Sequence, residues 1–303
     1  MSGAAIKLVF CDSLDFLLTR HPLMFKSSTL DLKKVVMRRT PHFHRNVPFV
    51  VAWSQKSGCT AVLKWFLYHS SLLEEALNYK DPSVGLNIHD YENKIFKASP
   101  GYRQDLILHL EKGVPVVNFM RCPYSRAFSS FMQINNKGFI NQVRNNNISA
   151  GCRVRIALLK SVYSDNVSIE YPVSFLDYLL WLKDQNYEQI NPHHAPQYSE
   201  IYKYENISHY KLEDFRLAVS SIEERYGLDS SSENHQLFTS GHHADKEEMS
   251  LTVTMRLIER ALPIGFWGQT RLPSIGRREL EETVYGELIK EIFSKDIEIY
   301  DSI

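Results

Sequence analysis

Residues 47–66 read VPFVVAWSQKSGCTAVLKWF. The apolar run from Val47 to Trp53 has the length and β-branched content of a buried strand, and Ala61 to Phe66 opens a helical pattern. Between them, Ser54-Gln55-Lys56-Ser57-Gly58-Cys59-Thr60 is a tight loop of mostly small residues. A helix N-terminus leaves N–H groups without partners and carries partial positive charge, so small residues there let the backbone wrap a phosphate. Ser57, Gly58, Cys59, Thr60 and Ala61 meet that requirement. Thr60 adds a hydroxyl, and Lys56 adds a point charge that reaches past the loop. Taken by itself, the same loop also fits an ordinary strand-to-helix turn with an exposed lysine.

Outward from the loop, apolar residues at helical spacing predict a helix over 60–77. A second helix is expected over 103–112, closed by Gly113. A mostly apolar strand follows at 114–120, of the kind buried in a parallel sheet. The next helix is expected over 123–134, with Pro123 in its first turn. Helices are also expected over 153–162 and 173–183. Residues 190–207, rich in His, Pro, Tyr and Asn, read as a long irregular loop, a type that tends to be functional. A strand at 210–212 leads into a helix at 213–226, and a terminal helix is expected over 278–299. Strands alternating with helices predict an α/β fold: one domain over 47–303, with a central parallel sheet flanked by helices. Residues 1–46 form an N-terminal segment with no assignment.

With 303 residues and 44% hydrophobic content, the chain can bury a sizeable core. Its 35 basic and 35 acidic side chains cancel, which gives no case for nucleic acid or a membrane surface as a partner. Their distribution is uneven. Residues 112–164 contain no Asp or Glu, where roughly six would be expected, but do contain Lys112, Arg121, Arg126, Lys137, Arg144, Arg153, Arg155 and Lys160. Such a stretch suits a region that faces anions. The four cysteines form no C-x-x-C pair, so neither a zinc site nor a disulfide framework is expected. Free thiols suit a reducing compartment, and the expected location is cytoplasmic. Lys7, Asp12 and Asp15 interrupt any secretory pattern, and no run of eighteen apolar residues exists, so no integral membrane segment is expected.

A P-loop NTPase places its lysine after the glycines, in G-x-x-x-x-G-K-[ST]. Here Lys56 comes first. Such an enzyme also needs an acid near a strand end to hold Mg²⁺, yet the strand at 114–120 is followed by Arg121 and Cys122. These features point away from metal-dependent phosphoryl transfer, and no metal site is expected. The segment that follows reads RCPYSRAFSSF over 121–131. Arg121 at the strand end and Ser129 two turns along the helix could converge on one oxyanion, a fork plus a hydroxyl. A solvated surface pair is the other reading of the same two residues.

Together the two motifs resemble the sulfotransferases that use 3′-phosphoadenosine 5′-phosphosulfate (PAPS), in their carbohydrate, membrane-type family 2-like branch. That resemblance implies that Lys56, Ser57, Gly58, Cys59, Thr60 and Ala61 form a P-loop-like site for the 5′-phosphosulfate. It also implies that Arg121 and Ser129 hold the 3′-phosphate. Arg126 and Phe131 match the branch's R-x-P-x-x-R-x-x-S-x-aromatic pattern. His193-His194-Ala195-Pro196-Gln197 is similar to its H-W-x-P-Q segment, with His194 in place of Trp. Residues 288–300 look like its terminal Y-x-x-D-aromatic helix, with Phe293 and Ile297 as variants. The resemblance spans about residues 47 to 300.

What it implies chemically is in-line transfer of a sulfuryl group from PAPS to a hydroxyl of a carbohydrate. Lys56 would stabilise the charge that grows on the leaving oxygen. Some relatives take their base from a Glu past the first helix, but residues 78–85 offer only Asp81. His193 is therefore the first candidate for the base and His89 the second, while His42, His44, His69 and His109 read as structural or solvated. The acid-free stretch, together with Lys33, Lys34, Arg38, Arg39 and Arg45, suggests an anionic, uronate-containing acceptor, a polysaccharide or glycolipid. Two other readings stay open: a divergent nucleotide kinase or NTPase, and a non-catalytic nucleotide- or glycan-binding relative.

Overall fold

A strand without polar alternation must be covered on both faces, and this chain supplies the cover with helices. The computed structural model describes residues 31–81, 85–86, 88–238, 249–268 and 275–303, so residues 1–30 of the N-terminal segment lie outside the described residues. The chain begins with α1 (Leu32–Arg38), β1 (Val50–Ala52), α2 (Cys59–His69), α3 (Leu73–Asn78) and the two-residue strands β2 (Lys80–Asp81) and β3 (Gly85–Leu86). Next come α4 (Ile88–Tyr91), which runs into a π-helical turn over Glu92–Phe96, then α5 (Tyr102–Glu111), β4 (Val116–Met120) and α6 (Pro123–Ile134). Helices α7 (Gly138–Arg144), α8 (Ala150–Val162) and α9 (Phe175–Lys183) precede β5 (Ile207–Lys211) and α10 (Phe215–Tyr226). The last elements are α11 (Leu251–Ile258), α12 (Arg277–Leu280), α13 (Val284–Ile292) and α14 (Ser294–Asp301).

β4, buried along its whole length, is the middle strand of a parallel sheet in the order β1-β4-β5. Val50 lies opposite Val116 on one side, and on the other Val116 lies opposite Ile207 and Met120 opposite Lys211. The expected parallel sheet with flanking helices is present. Because the three strands run the same way, the loops after β1, β4 and β5 emerge at one edge, the usual place for a ligand in such sheets.

α6 begins at Pro123, whose fixed φ and missing N–H suit a first helical position. Its Phe128 and Phe131 pack against Phe175 of α9 and against Trp267. A capping box between Ser174 and Asp177 starts α9. Two expected helices are interrupted. The pattern over 60–77 divides into α2 and α3, because Ser70 Oγ donates back to Phe66 O at 2.8 Å and Ser71 adopts φ 58°. The expected terminal helix over 278–299 divides into α12, α13 and α14, with Thr283 capping α13 and Phe293 separating α13 from α14.

Residues 31–46 belong to the same compact unit as the sheet, Asp31–Ile303. α1 packs on α5, and His42 exchanges two backbone hydrogen bonds of 2.9 Å with Val51 of β1. Among the described residues, no helix is long and apolar enough to cross a membrane.

Candidate functional site

The loop from β1 to α2 is built on two residues with left-handed backbone, Lys56 and Gly58, each with φ 66°. Glycine is favoured at the second, since a Cβ there would lie 2.5 Å from Leu212 Cδ1 just past β5 and push that side chain aside. Ser54 Oγ donates to Ser57 Oγ at 2.8 Å and closes the loop on itself. The first helical bond into α2 runs from Val62 N to Gly58 O at 3.0 Å, so the N–H groups of Cys59, Thr60 and Ala61 precede it. They form a cluster of donors at the positive end of an eleven-residue helix.

Gln197 ties this loop to the end of β4. Fully buried, its Oε1 accepts from Ser57 Oγ at 2.5 Å and from Arg121 N at 3.0 Å, and its Nε2 donates to Arg121 O at 2.8 Å. The Arg121 guanidinium in turn donates to Lys56 O at 3.1 Å. The two motifs, 65 residues apart in sequence, therefore meet at one place. Buried Asp296 of α14 holds the same segment, accepting from the N–H groups of Gln197 and Tyr198 at 2.7 Å each. Arg39 donates to Gln197 O and Pro196 O, both at 2.8 Å, while Arg126 donates to Gln55 O at 3.0 Å and Ala195 O at 2.8 Å. Each buried guanidinium is thus spent on main-chain carbonyls, and both hold loops in place.

The acid absent after β4 in sequence arrives from elsewhere. Glu213, just past β5, accepts from Cys122 N at 2.9 Å through one oxygen and from Tyr300 OH at 3.0 Å through the other.

Lys56 Nζ and Ser129 Oγ make no hydrogen bond to a described residue. Burial, together with the charges of Arg121 and Arg126, pushes the Lys56 ammonium down to about 8. His193 stands among positive groups as well: burial, then Lys56, Arg126, His89 and Arg39, push its ring down to about 4. Asn191 Oδ1 accepts from the His193 N–H at 3.0 Å and from its Nδ1–H at 2.9 Å. That contact fixes the neutral tautomer and leaves the lone pair on Nε2. His194 is engaged differently, with Nδ1 at 3.0 Å from Tyr178 OH, inside the core.

His89 sits on α4 with Nε2 at 3.0 Å from Thr60 Oγ1 and 3.9 Å from Cys59 Sγ, and Nδ1 at 2.8 Å from Glu92 Oε2. Its contacts with Cys59 and Glu92 outweigh burial and push the ring up to about 10. Burial raises the neighbouring Cys59 thiol, but the His89 contact reverses this, and the net shift is downward.

Compared with protein-family models, curated proteins and solved structures, the chain matches none. The site therefore stands on its own geometry. Lys56, Ser57, Gly58, Cys59, Thr60, Ala61 and Arg121 are gathered at the sheet edge, with His89 bonded to the loop and His193 beside it. Ser129 lies on α6, half-buried. Sequence reasoning did not single out Gln197, Asp296, Asn191 or Glu92 as site residues. Gln197 and Asp296 fell within motifs, nothing in the spacing marked Asn191 or Glu92, and Arg39, expected among the basic groups facing an anionic acceptor, is instead buried against the Pro196 and Gln197 carbonyls.

Proposed function

We propose that the chain is a sulfotransferase that moves a sulfuryl group from PAPS to a hydroxyl of a carbohydrate acceptor. The observation that carries this reading is the Gln197 bridge, which locks the Lys56 loop and Arg121 to one another at the sheet edge. The two sites differ in character, a cradle of N–H groups at one and a guanidinium fork at the other. That combination suits a ligand with separate anionic ends. Lys56, whose ammonium makes no hydrogen bond to a described residue, and the P-loop-like backbone of 57–61 would hold the 5′-phosphosulfate, while Arg121 and Ser129 would hold the 3′-phosphate. A kinase or NTPase reading is less well supported, because both oxygens of Glu213 are already committed to holding the end of β4.

In the transfer, the acceptor oxygen forms a bond to sulfur as the bond from sulfur to the 5′-phosphate oxygen breaks. The hydroxyl proton passes to His193 Nε2, the ring nitrogen left with its lone pair by Asn191. A pKa of about 4 in the free protein keeps the ring neutral, and the negative charge of bound donor raises its basicity. Lys56 stabilises the charge on the leaving oxygen. His89 serves less well as the base, since Glu92 and Cys59 favour its cation.

A cavity of about 520 Å³ between α8, α9 and residues 185–192 reaches Asn191, the partner of His193, though not His193 itself; Arg153, Gln185, Asn186 and Gln189 line it together with apolar groups such as Trp181 and Ile190. Amides that pair with hydroxyls and a guanidinium that pairs with a carboxylate suit an anionic sugar. The test is sulfate transfer from radiolabelled PAPS to a panel of polysaccharides. His193→Ala and Lys56→Ala should each lower turnover by roughly 10² or more. Transfer undiminished in both variants would remove these residues from the chemistry.

A further inference from the structure

Glu92 lies 2% exposed beneath the site, where a carboxylate is costly unless paired. Three groups converge on it: His89 Nδ1 at 2.8 Å, Lys97 Nζ at 2.6 Å and His42 Nδ1 at 3.7 Å. The π-helical turn explains the second. Lys97 N donates to Glu92 O at 2.8 Å across five residues, and this wider turn swings positions 92 and 97 toward one face. Lys97 itself is buried, donates to Thr40 O at 2.6 Å and lies 4.9 Å from the Trp53 ring centroid. Burial keeps the His42 ring neutral, stacked on Trp53 at 5.5 Å. Such π-helical turns are rare and often mark functional places.

The sequence of contacts has a direction. Glu92 can only accept, so the Nδ1–H of His89 points at it. The Glu92 carboxylate 2.8 Å from Nδ1 favours the cation, whose Nε2–H lies 3.0 Å from Thr60 Oγ1 and 3.9 Å from Cys59 Sγ and donates to the nearer hydroxyl. An oxygen that accepts from His89 turns its own proton away from the ring. We propose that Glu92 is a positioning residue which, through His89, aims the Thr60 hydroxyl as a hydrogen-bond donor at an anion held by the 54–60 loop. This rests on the reading that the loop takes the phosphosulfate end of PAPS. Charge-assisted donors of this kind polarise one another along a chain, so that loss of the first link weakens the last.

A double-mutant cycle in calorimetric binding of adenosine 3′,5′-bisphosphate tests the coupling. Thr60→Val and Glu92→Gln should each weaken binding by about tenfold, and the two together by about tenfold rather than a hundredfold. Because Glu92→Gln leaves the Lys97 ammonium buried without its partner, Glu92→Gln with Lys97→Met is the second background. In either, the His89 ring should titrate at lower pH by NMR than in the native chain, where Cys59, Thr60 and Glu92 all face it. Glu92→Asp should restore part of both effects. Losses that multiply to about a hundredfold, or an unshifted His89 titration, would overturn the positioning role while leaving the donor reading intact. A native chain that binds no bisphosphate would overturn both.

Discussion

Replacing Gln197 by Met keeps the length of the side chain and removes its amide. Three groups then lose a partner, the buried Ser57 hydroxyl and the part-buried N–H and carbonyl of Arg121. A buried polar group left unsatisfied costs about 1–3 kcal/mol, and Ser57 keeps its contact with Ser54, so the expected loss is about 3–5 kcal/mol. In a chain of this size that corresponds to a drop in Tm of roughly 5–8 °C. The second consequence is local, since the tie between the Lys56 loop and the end of β4 is cut. Affinity for adenosine 3′,5′-bisphosphate should fall by more than the loss of stability explains, because the two halves of the site no longer share a reference point. Urea unfolding followed by tryptophan fluorescence gives the first quantity, and calorimetry well below the unfolding midpoint gives the second. A Gln197→Met chain within about 1 kcal/mol of the native stability, with unchanged affinity, would refute the bridging role.

Gly58→Ala should destabilise by at least the roughly 1–2 kcal/mol of left-handed backbone, plus the overlap with Leu212; adding Leu212→Ala should relieve the overlap alone, as read by urea unfolding. For Lys56, pushed down to about 8, the charged form exists below that pH and disappears above it. The value of kcat/KM should therefore fall as pH rises through about 8, and Lys56→Arg, which stays charged, should move that limb to higher pH.

The parts of this fold that were legible in the sequence are those set by near neighbours. Pro123 and the mostly apolar strand before it placed β4 and α6 together, and the small-residue loop announced the start of α2. The breaks after His69 and around Phe293 were not legible, because apolar spacing continues across them and only the backbones of Ser71 and Phe293 interrupt it. Residues 31–46 carry no strong periodicity, yet their helix and His42 are held by packing against α5 and β1. The site divides in the same way. Lys56 and Arg121 belong to compact motifs, whereas Gln197 acts across 76 to 140 residues and Asp296 across 98 to 99. Hydrogen bonds of such span leave no spacing to read. Glu92 was hidden for another reason: its pairing with Lys97 depends on a π-helical turn, which no α-helical period reveals.

The measurement that bears most directly on the proposed function compares adenosine 3′,5′-bisphosphate with ADP by calorimetry on the native chain and on Arg121→Ala. Charge-assisted hydrogen bonds contribute about 1.5–3 kcal/mol each, and each 1.4 kcal/mol is about tenfold in affinity. Contacts from Arg121 and Ser129 to a 3′-phosphate should therefore make the bisphosphate bind at least about a hundredfold more tightly than ADP, with most of that preference lost in Arg121→Ala. Equal affinities for the two nucleotides in the native chain would contradict the assignment of this site to PAPS.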